Sequence, residues 1–127
     1  MEAMAPEQPN KAGLAAFSER ADEPAAVTML NLLEFAPDGG RERYAEYGTA
    51  VAPLLEKVGA RIVFAGEAAP ALLGDDSWDM VLLVEYPTRR AFLEMIGSEE
   101  YQAIAHLRTE ALARGELHPV AGVDLPV

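Results

Sequence analysis

Two segments of this chain are apolar on both of their alternate faces. In residues 26 to 35, Ala-Val-Thr-Met-Leu-Asn-Leu-Leu-Glu-Phe, one face carries Val27, Met29, Asn31, Leu33 and Phe35, and the other Thr28, Leu30, Leu32 and Glu34. Trp78 to Tyr86, Trp-Asp-Met-Val-Leu-Leu-Val-Glu-Tyr, is equally rich in apolar groups on both sides. A strand with one wet face alternates cleanly between apolar and polar residues, whereas a strand apolar on both sides must be covered on both sides. The chain therefore needs a sheet with a layer on each face.

The rest of the sequence supplies helices for one of those layers. Pro37-Asp38-Gly39-Gly40 signals a turn, and Tyr44, Tyr47, Gly48, Val51, Leu54, Leu55 and Val58 then recur at helical spacing up to Gly59. Pro53 removes a backbone donor inside that helix and is expected to kink or divide it. Arg61 to Ala68 reads as a second strand, stopped by Pro70, and Gly74-Asp75-Asp76-Ser77 leads into the third strand at Trp78.

Thr88 is a credible N-cap for a helix carrying Ala91, Phe92, Met95 and Ile96, which Gly97 is expected to end in a left-handed conformation. Ser98 caps the next helix, with Glu99 and Glu100 in its first turn, where the dipole favours negative charge, and with its end expected at Gly115. Leu117 to Val123, containing Pro119, reads as a short edge strand. The order is strand, helix, strand, strand, broken helix, strand: an α+β, ferredoxin-like βαββαβ arrangement with a four-stranded antiparallel sheet. Both helical layers fall on one sheet face, and a second copy of the same sheet is the simplest cover for the other.

At 127 residues the chain accommodates one such domain, assigned to residues 26–127, preceded by an appendage at residues 1–25. Within the appendage Pro9-Asn10 can open a short helix through Ala12, Leu14, Ala15, Ala16 and Phe17, closed by Asp22-Glu23-Pro24. This appendage is expected to lie on the domain or to cross onto a neighbour.

Several classes of function are disfavoured by composition. A net charge of −11 opposes binding to phosphate backbones, so nucleic acid is not an expected partner. With no cysteine there is no disulfide framework, thiolate nucleophile or zinc–sulfur site. Met1 to Asn10 lacks the basic start and apolar run of a secretory signal, and no stretch approaches the roughly 20 apolar residues that span a bilayer. The expected address is cytoplasmic, with no membrane partner.

Four motifs occur together in a fixed order: Met29-Leu30-Asn31-Leu32-Leu33; Tyr44-Ala45-Glu46-Tyr47 with Val51-Ala52-Pro53; Val84-Glu85-Tyr86-Pro87; and Tyr101-Gln102-Ala103-Ile104-Ala105-His106-Leu107-Arg108. In these the chain resembles the bacterial DUF1330 family, a branch of the dimeric α/β-barrel superfamily, over roughly residues 26 to 123. The resemblance implies a homodimer whose two sheets meet face to face. It carries no catalytic residues onto these positions. The wider superfamily includes cofactor-independent monooxygenases, isomerases, haem proteins and non-catalytic members, and fold analogy does not choose among them.

The residues themselves offer a short list of chemistry. Projected at 100° per residue, Arg108 falls between Tyr101, Ile104, Ala105, Ala111 and Leu112 on the apolar face of its helix, so it needs a carboxylate partner or holds an anion. Glu85 is the first choice of partner. Asn31 is the polar exception on an apolar strand face, suited either to a substrate carbonyl or to local backbone. Glu85 or Glu67, if desolvated, could accept a proton, the alternative being a pair with Arg108 or Arg61. His106 projects away from the apolar face and His118 sits beside Pro119 on an edge, so no metal set or haem ligand is expected and no cofactor is implied. Tyr44, Tyr47, Tyr86 and Trp78 read as core.

Two functions follow. In one, a cofactor-independent enzyme of monooxygenase or isomerase type takes an apolar or aromatic compound between helices and sheet, with Asn31 orienting it, Glu85 moving a proton and Arg108 holding negative charge. In the other, a non-catalytic dimer binds a ligand or a protein through the same scaffold. A pocket of roughly 300 Å³ or more with polar groups converging on it separates the first from a filled, dry layer.

Overall fold

A computed structural model describes residues 7–126, so residues 1–6 of the appendage, and most of the stretch read for a secretory signal, lie outside the described residues. The elements are α1 (Lys11–Glu19), β1 (Val27–Phe35), α2 (Gly40–Lys57), β2 (Arg61–Glu67), β3 (Met80–Tyr86), α3 (Arg89–Gly97), α4 (Glu99–Ala111) and β4 (Leu112–Val120). The four strands pair antiparallel in the order β2-β3-β1-β4. This is the ferredoxin-like arrangement.

Period-two alternation sorts the sheet into two faces. On β1, Val27, Met29, Asn31 and Leu33 are buried while Thr28, Leu30, Leu32 and Glu34 are only half-buried. The buried face packs in two clusters: Val27, Met29, Val84 and Tyr86 with Phe92, Met95 and Phe17, and Leu33 with Tyr44, Tyr47, Val51, Ala111 and Leu112. Leu30, Leu32, Val81 and Leu83 lie on the opposite face, joined by the exposed Phe64 of β2.

Local chemistry sets most boundaries. Asn10 caps α1 by accepting from the Gly13 N–H at 2.8 Å, and Thr88 caps α3 by accepting from Ala91 at 3.1 Å. Gly97 does not take the expected left-handed conformation. The break falls at Ser98, an extended residue whose hydroxyl donates to the Met95 carbonyl at 2.6 Å and accepts from the Tyr101 N–H at 3.2 Å, so one side chain ends α3 and begins α4. Pro53 does not divide α2: it sits on the exposed side, where water can meet the carbonyl that its ring leaves unbonded.

The last helix is shorter than its sequence pattern. α4 stops at Ala111 and the chain passes directly into β4, so Gly115 lies within a strand. Pairing with β1 outcompetes further helix here: Leu112 lies opposite Phe35 and is buried, and the Ala111 carbonyl accepts from the Ala36 N–H at 2.8 Å.

The appendage does lie on its own domain. Phe17 is buried edge-on against Phe92 at 5.5 Å, buried Arg89 reaches Glu23 at 3.5 Å, and Arg90 pairs with Asp22. Phe17 and these two ion pairs anchor the segment from the C-terminal half of α1 onward.

The start of α2 depends on a close approach. A Cβ built on Gly40 would lie 2.6 Å from the Ala111 carbonyl oxygen, a backbone atom that cannot step aside, whereas one on Gly48 meets nothing within 4 Å. Gly40→Ala should therefore cost about 1–3 kcal/mol of stability, and Gly48→Ala should add about 0.5–1 kcal/mol by restricting the unfolded chain. Urea denaturation of the two variants measures both signs.

Candidate functional site

Arg108, on the face of α4 that turns toward the sheet, is only 9% exposed. A guanidinium cannot shed its charge at any ordinary pH, so burial obliges it to find an anion and to use its fork of donors. It does both. Nε donates to the two Glu7 carboxylate oxygens at 3.1 and 3.0 Å, one terminal nitrogen donates to Glu7 Oε2 at 2.8 Å, and the same nitrogen reaches Asn31 Oδ1 at 3.2 Å. Burial works against the charged form, yet the Glu7 contact outweighs it and the pKa of Arg108 rises above its ordinary value.

Asn31 is in turn held from beneath. Its Nδ2 donates to the carbonyls of Met29 and Leu82, at 3.2 and 3.3 Å, which fixes the amide so that its oxygen faces Arg108. No bulge falls at Asn31: the β1–β4 register shifts only between Glu34 and Phe35.

Tyrosines complete the surroundings. The Arg108 guanidinium carbon lies 5.8 Å from the Tyr47 ring centre, within cation–π range, and the Tyr47 and Tyr101 hydroxyls are 3.0 Å apart. Burial pushes the pKa values of Tyr44, Tyr47 and Tyr86 up, with nearby Arg108 opposing the shift in each case. These phenols therefore stay protonated across the physiological range.

The group sits in the wall of an open cleft of about 1430 Å³ between the helices, the appendage and the sheet. The lining is mostly apolar, with Met29, Leu82, Val84, Phe92 and Met95 along its length and Glu7, Asn31 and Arg108 on its polar part. Among the described residues, no group of three or more His, Asp or Glu side chains could hold a metal ion.

The structure thus brings Arg108 and Asn31 together and leaves Glu85 out. Glu85 lies opposite Thr28, on the other face of the sheet from Asn31, and pairs with Arg61 at 3.1 Å. The expected Arg108–Glu85 pair does not form, because one residue of strand register decides which face a side chain takes. Glu67 is largely exposed and meets Arg41 at 3.5 Å. His106 is exposed, His118 pairs with Glu116 on the edge strand, and Trp78 is half-buried with Arg114 stacked 3.7 Å above its ring, apart from the tyrosines. Glu7, 101 residues from Arg108 and outside the domain proper, left no signal of its role in the sequence.

Residues 39–123 match the family described as Domain of unknown function (DUF1330). The chain belongs to the DUF1330 family. Among solved structures, the RPA0582 protein of unknown function from Rhodopseudomonas palustris is similar at 31% identity and a TM-score of 0.82, over 93% of this chain and 97% of that one. A dimeric ferredoxin-like protein of unknown function from Jannaschia sp. shares the fold at 10% identity and a TM-score of 0.58, over 77% of this chain and 100% of that one. The hydroxynitrile lyase of Passiflora edulis does so at 10% identity and 0.58, over 81% and 99%. No curated protein matches the chain.

The Arg108–Glu7 pair of this DUF1330 protein has unequal partners, since the guanidinium is buried and the Glu7 side chain is 31% exposed. Removing the acid strands a buried cation, and removing the cation strands an acid that water can reach. Glu7→Gln should therefore cost about 2 kcal/mol, more than Arg108→Met, whose side chain refills the volume, and the double variant should recover part of the Glu7→Gln loss. Chemical denaturation of the three variants gives the comparison; equal losses in the two single variants would make Glu7 an ordinary surface charge.

Proposed function

We propose that this DUF1330 protein is a homodimer that binds an apolar or aromatic small molecule in the cleft, with the polar end of the ligand at Arg108. The observation that carries the reading is a buried guanidinium, aimed by Asn31 and flanked by protonated tyrosines, in the wall of a large and mostly apolar cleft. Ligand sites have this composition: an apolar body that contributes affinity, and a few convergent polar groups that fix orientation.

A second reading is catalysis without a cofactor. The donors that would hold a ligand oxygen would also stabilise an enolate-like oxygen as charge develops on it. Binding ranks first because Glu7, the carboxylate facing those donors, is gripped bidentately by Arg108 and is already committed to that contact.

The uncovered sheet face supports the homodimer. Leu30, Leu32, Val81 and Leu83 form a contiguous apolar patch, with Phe64 at 55% exposure beside it and polar groups such as Glu34, Glu85 and Arg114 around it. Such a patch rimmed by polar groups suits an association surface, and a two-fold axis would set it against itself. The Jannaschia relative of the same fold is described as dimeric.

Two experiments test these readings. A thermal-shift screen of aromatic acids, quinones and enol lactones should find compounds that raise the melting temperature of the wild type, with the shift lost in Arg108→Met; a ligand that binds the native state must stabilise it. No shift from any of the three classes would remove the reading. Sedimentation at micromolar concentration should give a dimer, and Leu83→Glu should give a folded monomer; a compact wild-type monomer would overturn the sheet-face assembly.

A further inference from the structure

The carboxylate on Arg108 is brought there by the appendage. The matched family region, residues 39–123, contains Arg108 and Gly115, while Glu7 arrives on the segment ahead of α1. Three features make its position a seat for a carboxylate rather than a place where one happens to rest.

The first is the grip. Arg108 meets Glu7 through two nitrogens and both carboxylate oxygens, the fork geometry that discriminates a carboxylate from a neutral amide or alcohol. The second is the space. A Cβ added to Gly115 of β4 would lie 3.0 Å from both Cγ and Oε2 of Glu7, so the bare backbone of that strand residue makes the room in which the carboxylate sits. The third is what lies beyond. The cleft that Glu7 lines also touches the nearly covered side chains of Met29, Phe92 and Met95, and its volume of about 1430 Å³ is far more than a glutamate side chain fills. Glu7 takes up the part of that volume beside Arg108 and leaves the remainder unfilled by its own side chain.

Exchange of one carboxylate for another is also balanced in charge. A ligand carboxylate that replaced Glu7 would keep Arg108 paired, and Glu7, already partly exposed, would pass into water. A neutral ligand offers no such exchange, because displacing Glu7 would leave the buried cation without an anion. Nor does release require the appendage to undock: its anchors are Phe17 on Phe92 and Glu23 on Arg89, ten and sixteen residues beyond Glu7.

We propose that the cleft takes a monocarboxylic acid with an apolar body of aryl size, seated on Arg108 in place of Glu7, and that Glu7 is a tethered competitor that holds the seat until such a ligand arrives. This rests on the reading of the cleft as a ligand site, and it names the class of ligand. Asn31 is a positioning residue in this scheme, since its oxygen aims Arg108 and its nitrogen is committed to the Met29 and Leu82 carbonyls. The net charge of the molecule, −11, disfavours anions at long range, so selectivity for an acid comes from this one buried contact.

The test uses 3-phenylpropionate and its uncharged primary amide as probes, with calorimetric titration of the wild type, Glu7→Gln and Arg108→Met. A tether of this kind competes at millimolar effective concentration, so Glu7→Gln should tighten binding of the acid by at least about tenfold and leave the amide unchanged. Arg108→Met should lose the acid. Hydrogen exchange on the wild type gives a reading independent of any variant's folding: saturation with the acid should reduce protection in the segment leading into α1. Acid affinity that is unchanged or weaker in Glu7→Gln, or exchange in that segment that stays the same or slows on saturation, overturns the proposal. Equal binding of acid and amide, lost when the cleft is blocked by Met29→Trp, overturns it while leaving the cleft as a ligand site. Binding of neither probe, together with no hit in the wider screen, removes the ligand site itself.

Discussion

A positive charge that cannot be discharged, placed on the apolar face of a helix, organises much of this molecule. Arg108 must be solvated by protein, and the groups that do so come from every part of the chain: Glu7 from the appendage, Asn31 from β1, and the ring of Tyr47 from α2. Each of these is itself constrained by the demand. Asn31 is turned by two backbone carbonyls, Tyr47 is tied to Tyr101, and Gly115 stays bare so that a carboxylate fits beside the strand. The least committed member is Glu7, which is partly exposed and linked to the domain by a short segment.

The sheet supplies the frame for that cluster and a second, separate problem. Helices cover one face, where Val27, Met29 and Leu33 are almost wholly buried. The other face keeps its leucines and valines half-buried, with Phe64 and Val120 well exposed near the edges. Helices on one face of an antiparallel sheet make a two-layer domain; here the chain leaves the other face uncovered although it is apolar. Glu85 and Arg61 belong to the uncovered face, and Arg108 and Asn31 to the cleft on the other.

Similarity to RPA0582 extends over nearly the full length of both chains, while the more distant ferredoxin-like structures share the fold alone. The RPA0582 and Jannaschia proteins are described as of unknown function, and a shared fold with the Passiflora hydroxynitrile lyase does not carry its activity.

Periodicity together with local turn and capping chemistry determined the βαββαβ order, the faces of β1, the helix start at Asn10, the caps Thr88 and Ser98 and the outward turn of His106, because each depends on neighbours within a few residues. The early end of α4 and the survival of α2 through Pro53 were decided in three dimensions, where strand pairing at Leu112 and exposure at Pro53 outweighed local preference. The need of Arg108 for an anion was legible from its place on an apolar stripe. Which anion was not: Glu85 was nearer in the chain but fell on the wrong face by strand register, and Glu7, 101 residues away, reached it because the appendage folds back over the domain. A sequence states that a buried charge must be compensated, whereas the identity of the compensating group is a matter of distances across the chain that only the packed fold defines.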